Sequence, residues 1–139
     1  MNVTILAFNG REENVRRVMQ GPGWTVGTDA ILVGSSVHPR AAGTYPTVLG
    51  TYARQEGIIS LERAVNAMTG APARRIGLID RGLVQPGLAA DLVVFDPVTV
   101  GARNTYEDSR VPPAGMPYVI VNGVPVKWDD APTAARPGR

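Results

Sequence analysis

The chain has 139 residues, a formal net charge of +2, 44% hydrophobic and 19% charged residues, a balance that suits a globular fold and not a disordered one. It is too short for a complete (β/α)₈ barrel, which needs roughly 250 residues, and no stretch approaches the ~20 uninterrupted apolar residues of a membrane helix. Cysteine is absent, which removes disulfides and thiolate ligands, and thirteen Arg against one Lys, dispersed without a basic stripe or interleaved aromatics, argue against nucleic acid.

Asn2 to Phe8 is a compact apolar run rich in β-branched residues and is expected to be a buried strand. The start has neither a basic region nor a small-residue cleavage site, so no signal peptide is read there and a cytoplasmic location is expected. Arg11 to Gln20 follows with Val15, Val18 and Met19 at helical spacing, Asn9 as its cap and Glu12 as the capping-box partner. Gly21-Pro22-Gly23 ends that helix, and Trp24 to Thr28 reads as a second strand. Strand, helix and strand within 30 residues predict a βαβ unit with parallel strands.

Asp29 to Gly43 breaks the pattern and reads as a loop at the carboxyl end of a parallel strand, where α/β folds place their ligand sites. Thr44 is the expected cap of a helix with Val48, Leu49, Tyr52 and Ala53 on one face. Ser60 caps the next, with Leu61, Ala64, Val65 and Met68 on its face. Pro72 opens a short turn closed by Gly77. Beyond Leu78 the character changes. Asp91 to Phe95 and Met116 to Val121 read as strands, and Asn122-Gly123 is a two-residue hairpin signal before Val124-Pro-Val126. The tail from Asp129 is polar, Pro-rich and expected to fray.

Gly27-Thr28-Asp29, His38-Pro39-Arg40, Gly43-Thr44-Tyr45-Pro46, Leu49-Gly50, Met68 to Ala73, Asp80-Arg81-Gly82, Pro86 to Asp96 and Val121-Asn122-Gly123 together resemble the N-acyl-D-amino-acid deacylases (D-aminoacylases) of the amidohydrolase superfamily. The likeness covers roughly Asn2 to Val126 and implies an α/β plus β fold: the last βα units of a TIM-like barrel over residues 1–78, then the closing strands of the small β-sandwich domain over 79–139. It implies hydrolysis of N-acyl-D-amino acids with zinc as cofactor. Asp29 then matches the carboxylate that contacts metal and moves the proton, while His38 and Arg40 are candidates for substrate contact, Arg40 through its planar fork. The family's His-X-His pair, later His ligands and Cys ligand have no counterpart here.

On the residues alone the alternatives stay open. Asp29 can simply end a strand and cap a turn, His38 can close the loop, and Arg40 can make a surface pair. Ser35, Ser36 and Tyr45 share the loop without distinguishing themselves. Asp80-Arg81-Gly82 and Pro86 to Asp91 read as structural, and Trp24 and Trp128 as core or edge fillers. One histidine and scattered carboxylates fall short of the three protein ligands of a catalytic zinc. Two functions therefore stand: part of a deacylase, inactive alone and completed by an upstream polypeptide or by self-association, or a non-catalytic truncated relic or interaction module that kept the fold.

Overall fold

The computed structural model describes residues 10–32 and 37–138. The strand expected at 2–8, the Asn9 cap, and Ser35 and Ser36 lie outside the described residues. Helix α1 spans Glu12–Gln20, with Arg11 at its N-cap position and no side-chain cap bond. Glu12 and Glu13 in the first turn and Arg17 in the last complement the helix dipole. Glu12 is no box partner: its carboxylate accepts the Tyr52 hydroxyl at 2.9 and 3.0 Å. The helix ends as expected at Gly21, whose N–H reaches the carbonyls of Arg17 and Val18.

Trp24 to Thr28 is not a strand. A parallel strand exists only through a neighbour's ladder, and none is present among the described residues. One ladder-like bond remains, from Val26 N–H to the Ala67 carbonyl at 3.0 Å, and the described sheet is wholly antiparallel.

Helix α2, Arg40–Thr47, begins four residues before the expected Thr44 cap and has Pro39 at its N-cap. Thr44 instead donates its hydroxyl to the Arg40 carbonyl at 2.8 Å, the back-bonding of a Thr inside a helix. Pro46, inside α2, has no N–H to offer the preceding turn. Two residues later the chain loosens into a π-helical stretch, Val48–Gln55, which closes with Glu56 N–H on the Thr51 carbonyl. Helix α3, Leu61–Met68, has the predicted cap, with Ser60 Oγ accepting from Arg63 N–H. Helix α4, Gly70–Ile76, stops at Gly77, whose φ of +78° lets Leu78 N–H reach back to the Ala73 carbonyl.

Strands β1 (Leu92–Val94), β2 (Tyr118–Val121), β3 (Val124–Trp128) and β4 (Ala131–Pro132) pair in that order. Asn122 and Gly123 both take positive φ, +48° and +78°, as the anticipated type I′ hairpin requires. The tail does not fray at Asp129: Asp129 and Asp130 make a second positive-φ turn, and β4 pairs back on Lys127 and Trp128. Lys127 Nζ closes it on Asp130 at 2.8 Å. The Asp80–Arg81 region is structural, as expected. Arg81 pairs with Asp91 and donates to Asn122 Oδ1 at 2.7 Å, tying the 80s loop to the hairpin.

The core gathers Met19, Val48, Leu49, Tyr52, Ile59, Ala64 and Val100, with Trp24, Val26, Phe95 and Met116 packed against it. Val100 is wholly buried although it lies in the connection between β1 and β2. Its seat is narrow, since a Cβ on Gly50 would stand 2.6 Å from the Val100 carbonyl oxygen and 2.9 Å from Gly101 Cα. Gly50→Ala, which would stabilise an exposed helix, is therefore expected to cost about 1–3 kcal/mol, read as a lowered midpoint in urea unfolding followed by circular dichroism. A midpoint at or above wild type would show that the connection does not press on the helix.

Candidate functional site

The first turn of α2, the segment before it, the connection between β1 and β2, α1 and Trp24 to Gly27 line an open cleft of about 760 Å³. Of the three sequence-predicted residues, His38 and Arg40 line the cleft, and Asp29 meets them through its ion pair with Arg40. Asp29 sits at φ +46°, a left-handed conformation that Asp tolerates better than most residues. Its side chain is 90% exposed, and one oxygen lies 3.2 Å from Arg40 Nη2. So solvated an ion pair adds little stability. Its consequence is to hold a carboxylate and a guanidinium side by side.

His38 is engaged at both ring nitrogens. Nδ1 accepts the Arg40 backbone N–H at 3.0 Å, and Nε2 lies 3.3 Å from the Tyr106 hydroxyl. The two rings meet edge to face, with centroids 5.2 Å apart. Burial, and secondarily the Arg40 charge, lower the imidazole pKa from its ordinary value, which keeps the ring neutral. Arg40 Nε is buried and has no hydrogen-bond partner among the described residues. Tyr45, which shares the stretch, is in α2 and partly exposed.

Two residues not singled out from the sequence join the site from the other half of the chain. Asn104 donates to the Pro39 carbonyl, and Tyr106 meets His38. Nothing local marks them, because Asn104 to Asp108 reads as an ordinary polar loop and its role depends on contacts 65 and 68 residues away. A second polar cluster lies at α1, where Arg16 binds the Glu56 carboxylate with two bonds of 2.7 and 2.8 Å. Arg16 also pairs with Glu12 at 3.3 Å.

A zinc centre does not fit the described residues by themselves. They contain no group of three His, Asp or Glu side chains able to hold a metal, Asp29 is paired with Arg40, and both His38 nitrogens are occupied. A catalytic zinc takes three protein ligands. What the described residues do offer is an accessible carboxylate beside a guanidinium. That pairing can accept a proton on one side and bind an anion on the other.

Comparison with known proteins gives the same region a wider frame. Residues 14–127 match the model of the amidohydrolase family. A D-aminoacylase of Alcaligenes xylosoxydans xylosoxydans is 44% identical over 92% of this chain and 26% of its own. An N-acyl-D-glutamate deacylase of the same organism is 43% identical over the same shares. The crystal structure of N-acyl-D-glutamate deacylase from Bordetella bronchiseptica, complexed with zinc and a phosphonate inhibitor that mimics the tetrahedral intermediate, superposes with a TM-score of 0.85 at 41% identity. That superposition covers 93% of this chain and 27% of that one. The chain thus spans about a quarter of the length of these relatives.

Burial, then the hydrogen bond to Glu12, push the Tyr52 hydroxyl up from 10.0 to about 12. Because the folded state favours the neutral phenol, this contribution to stability is present below the ordinary phenol value and is lost as pH rises through about 12. Titration of phenolate absorbance is expected to show a late component among the four tyrosines, missing from Tyr52→Phe. A single transition near pH 10 for all of them would refute the buried hydrogen bond.

Proposed function

The chain belongs to the amidohydrolase family, and from that premise we propose that it forms part of a deacylase that hydrolyses the amide bond of N-acyl-D-amino acids. Residues 1–78 are assigned to the end of the barrel and 79–139 to the returning strands of the small β domain. The observation that carries the reading is the Asp29–Arg40 pair. It joins Arg40, which lines the cleft, to a residue eleven positions earlier, the one able to bind a carboxylate and the other to move a proton.

In this reading Arg40 holds the substrate's carboxylate and so orients the scissile amide toward Asp29. Asp29 takes a proton from the attacking water as its oxygen bonds to the amide carbon. The carbon–nitrogen bond then breaks, the proton passes to the departing amine, and a carboxylic acid and a free D-amino acid result. His38 stays neutral and keeps the Arg40 backbone in place. Zinc, which the Bordetella relative's complex contains, is assigned to ligands in the remainder of the enzyme, because the described residues do not form its site by themselves. That remainder would also cover the apolar surface left open at Ile76, Ile79, Leu83 and Val84 and the outer edge of β1, where Val93 and Val94 are exposed. No helix among the described residues is long and apolar enough to cross a membrane.

The test is a chimera: the Alcaligenes D-aminoacylase with its matched quarter replaced by this chain. The chain alone is expected to hold no stoichiometric zinc and to show no turnover of N-acetyl-D-amino acids. The chimera is expected to hold zinc and to turn over. Asp29→Asn should lower its kcat by roughly 10²–10⁴-fold, and Arg40→Met should raise KM by on the order of 10–100-fold, the loss of a charge-assisted pair. A chimera that folds and binds zinc yet stays inactive would favour the second reading, a non-catalytic module that retained the fold.

A further inference from the structure

We infer that Asn104 and Tyr106, in the connection between β1 and β2, are positioning residues for Arg40 and, through it, for Asp29. This rests on the proposed roles of Arg40 and Asp29 for its functional meaning, while the geometry behind it does not.

Asn104 is wedged against the start of α2. Its amide nitrogen donates to the Pro39 carbonyl and, at 3.3 Å, to the Ser109 carbonyl, so it straps the helix start to its own loop. The same Pro39 carbonyl accepts the N–H groups of Ala42 and Gly43, at 3.2 and 2.9 Å. The bond from Asn104 therefore acts on the turn that sets the direction of Arg40. The approach is close: a Cβ on Gly43 would stand 2.6 Å from Asn104 Oδ1, so the amide would have to swing aside.

Tyr106 acts one link further on. The Arg40 backbone N–H points at His38 Nδ1, so in the neutral ring that nitrogen is the acceptor and Nε2 carries the hydrogen. Nε2–H then donates to the Tyr106 oxygen at 3.3 Å, and the tyrosine ring packs edge to face on the imidazole. One end of the imidazole is thus held by the strand-rich half while the other holds the Arg40 backbone. The guanidinium is left to reach Asp29. Asn104 acts on the Pro39 carbonyl and Tyr106 on the His38 ring, each one link removed from the Arg40 guanidinium, which is why their role is positioning.

His38 is the chain's one histidine, so a long-range ¹H–¹⁵N spectrum of the labelled chain reports a single imidazole. This readout does not depend on whether the chain belongs to an active deacylase. The wild type is expected to show the Nε2–H tautomer. Tyr106→Phe should shift the Nε2 resonance and leave the Arg40 amide signal in place. Asn104→Ala should move the Arg40 amide signal and let the Nδ1–H tautomer grow in. Gly43→Ala should disturb that amide alone, yet add nothing further on top of Asn104→Ala, because the blocking oxygen is gone. If Asn104→Ala unfolds, Tyr106→Phe still decides. An Nδ1–H tautomer in the wild type, or an Nε2 resonance unmoved by Tyr106→Phe, would overturn the inference.

Discussion

Much of this structure hangs on how closely one stretch of backbone, residues 100–104, lies against one helical surface. Gly43 in α2 and Gly50 in the π-helical stretch are seven positions apart, two turns along the same face, and both lack the side chain that would hold the stretch away. Val100 enters the core at the second glycine and Asn104 reaches the helix start at the first. Arg54 then fixes the arrangement, with Nη1 donating to the carbonyls of Val98 and Val100 at 2.8 and 2.6 Å. A buried valine, two glycines and a guanidinium thus join helices and strands into one packed body. The site is built on the far end of that seam.

Arginine does this kind of work repeatedly, which gives the lopsided basic composition a structural meaning. Arg63 donates to the carbonyls of Gln20 and Gly21 at the end of α1 while its guanidinium lies 5.8 Å from the centroid of Trp24. Arg81 ties the 80s loop to Asp91 and Asn122. In each case a planar fork of donors satisfies carbonyl or amide oxygens that regular structure leaves over, a task lysine performs less well.

Legibility from sequence followed the range of the forces involved. The hairpin at Asn122-Gly123, the Ser60 cap and the Gly77 stop depend on a few neighbouring residues, and each was readable because positive φ and capping bonds carry local residue preferences. The buried face with Val48, Leu49 and Tyr52 was readable for the same reason, from spacing alone. Expectations failed where the deciding partner was distant or lacking. Trp24 to Thr28 has strand composition but no described neighbour to pair with. Thr44 has a cap's chemistry, yet the helix had already begun at Arg40. Ala131 and Pro132 look like a loose tail until Lys127 and Trp128 supply the pairing edge. At the site, Asp29, His38 and Arg40 stood out by motif, whereas Asn104 and Tyr106 are visible only once the chain has folded back on them.

The same distinction bears on a chain that spans about a quarter of the length of its relatives. Features held by local bonds and by the 100–104 seam persist here: the paired Asp29 and Arg40, a neutral His38, the seated helix. Features that need many strands converging on one point, a zinc site above all, do not assemble from the described residues. A barrel's mouth is composite by construction, because ligands arrive from the ends of several strands and no single one fixes a metal. Organisation of the Asp29–Arg40 pair is therefore separable from assembly of a metal site. The first is encoded within this chain, by contacts between its helical and its strand-rich parts. The second needs several strand ends at once, and Ile79, 92% exposed, is apolar surface of the kind that packing against further structure buries.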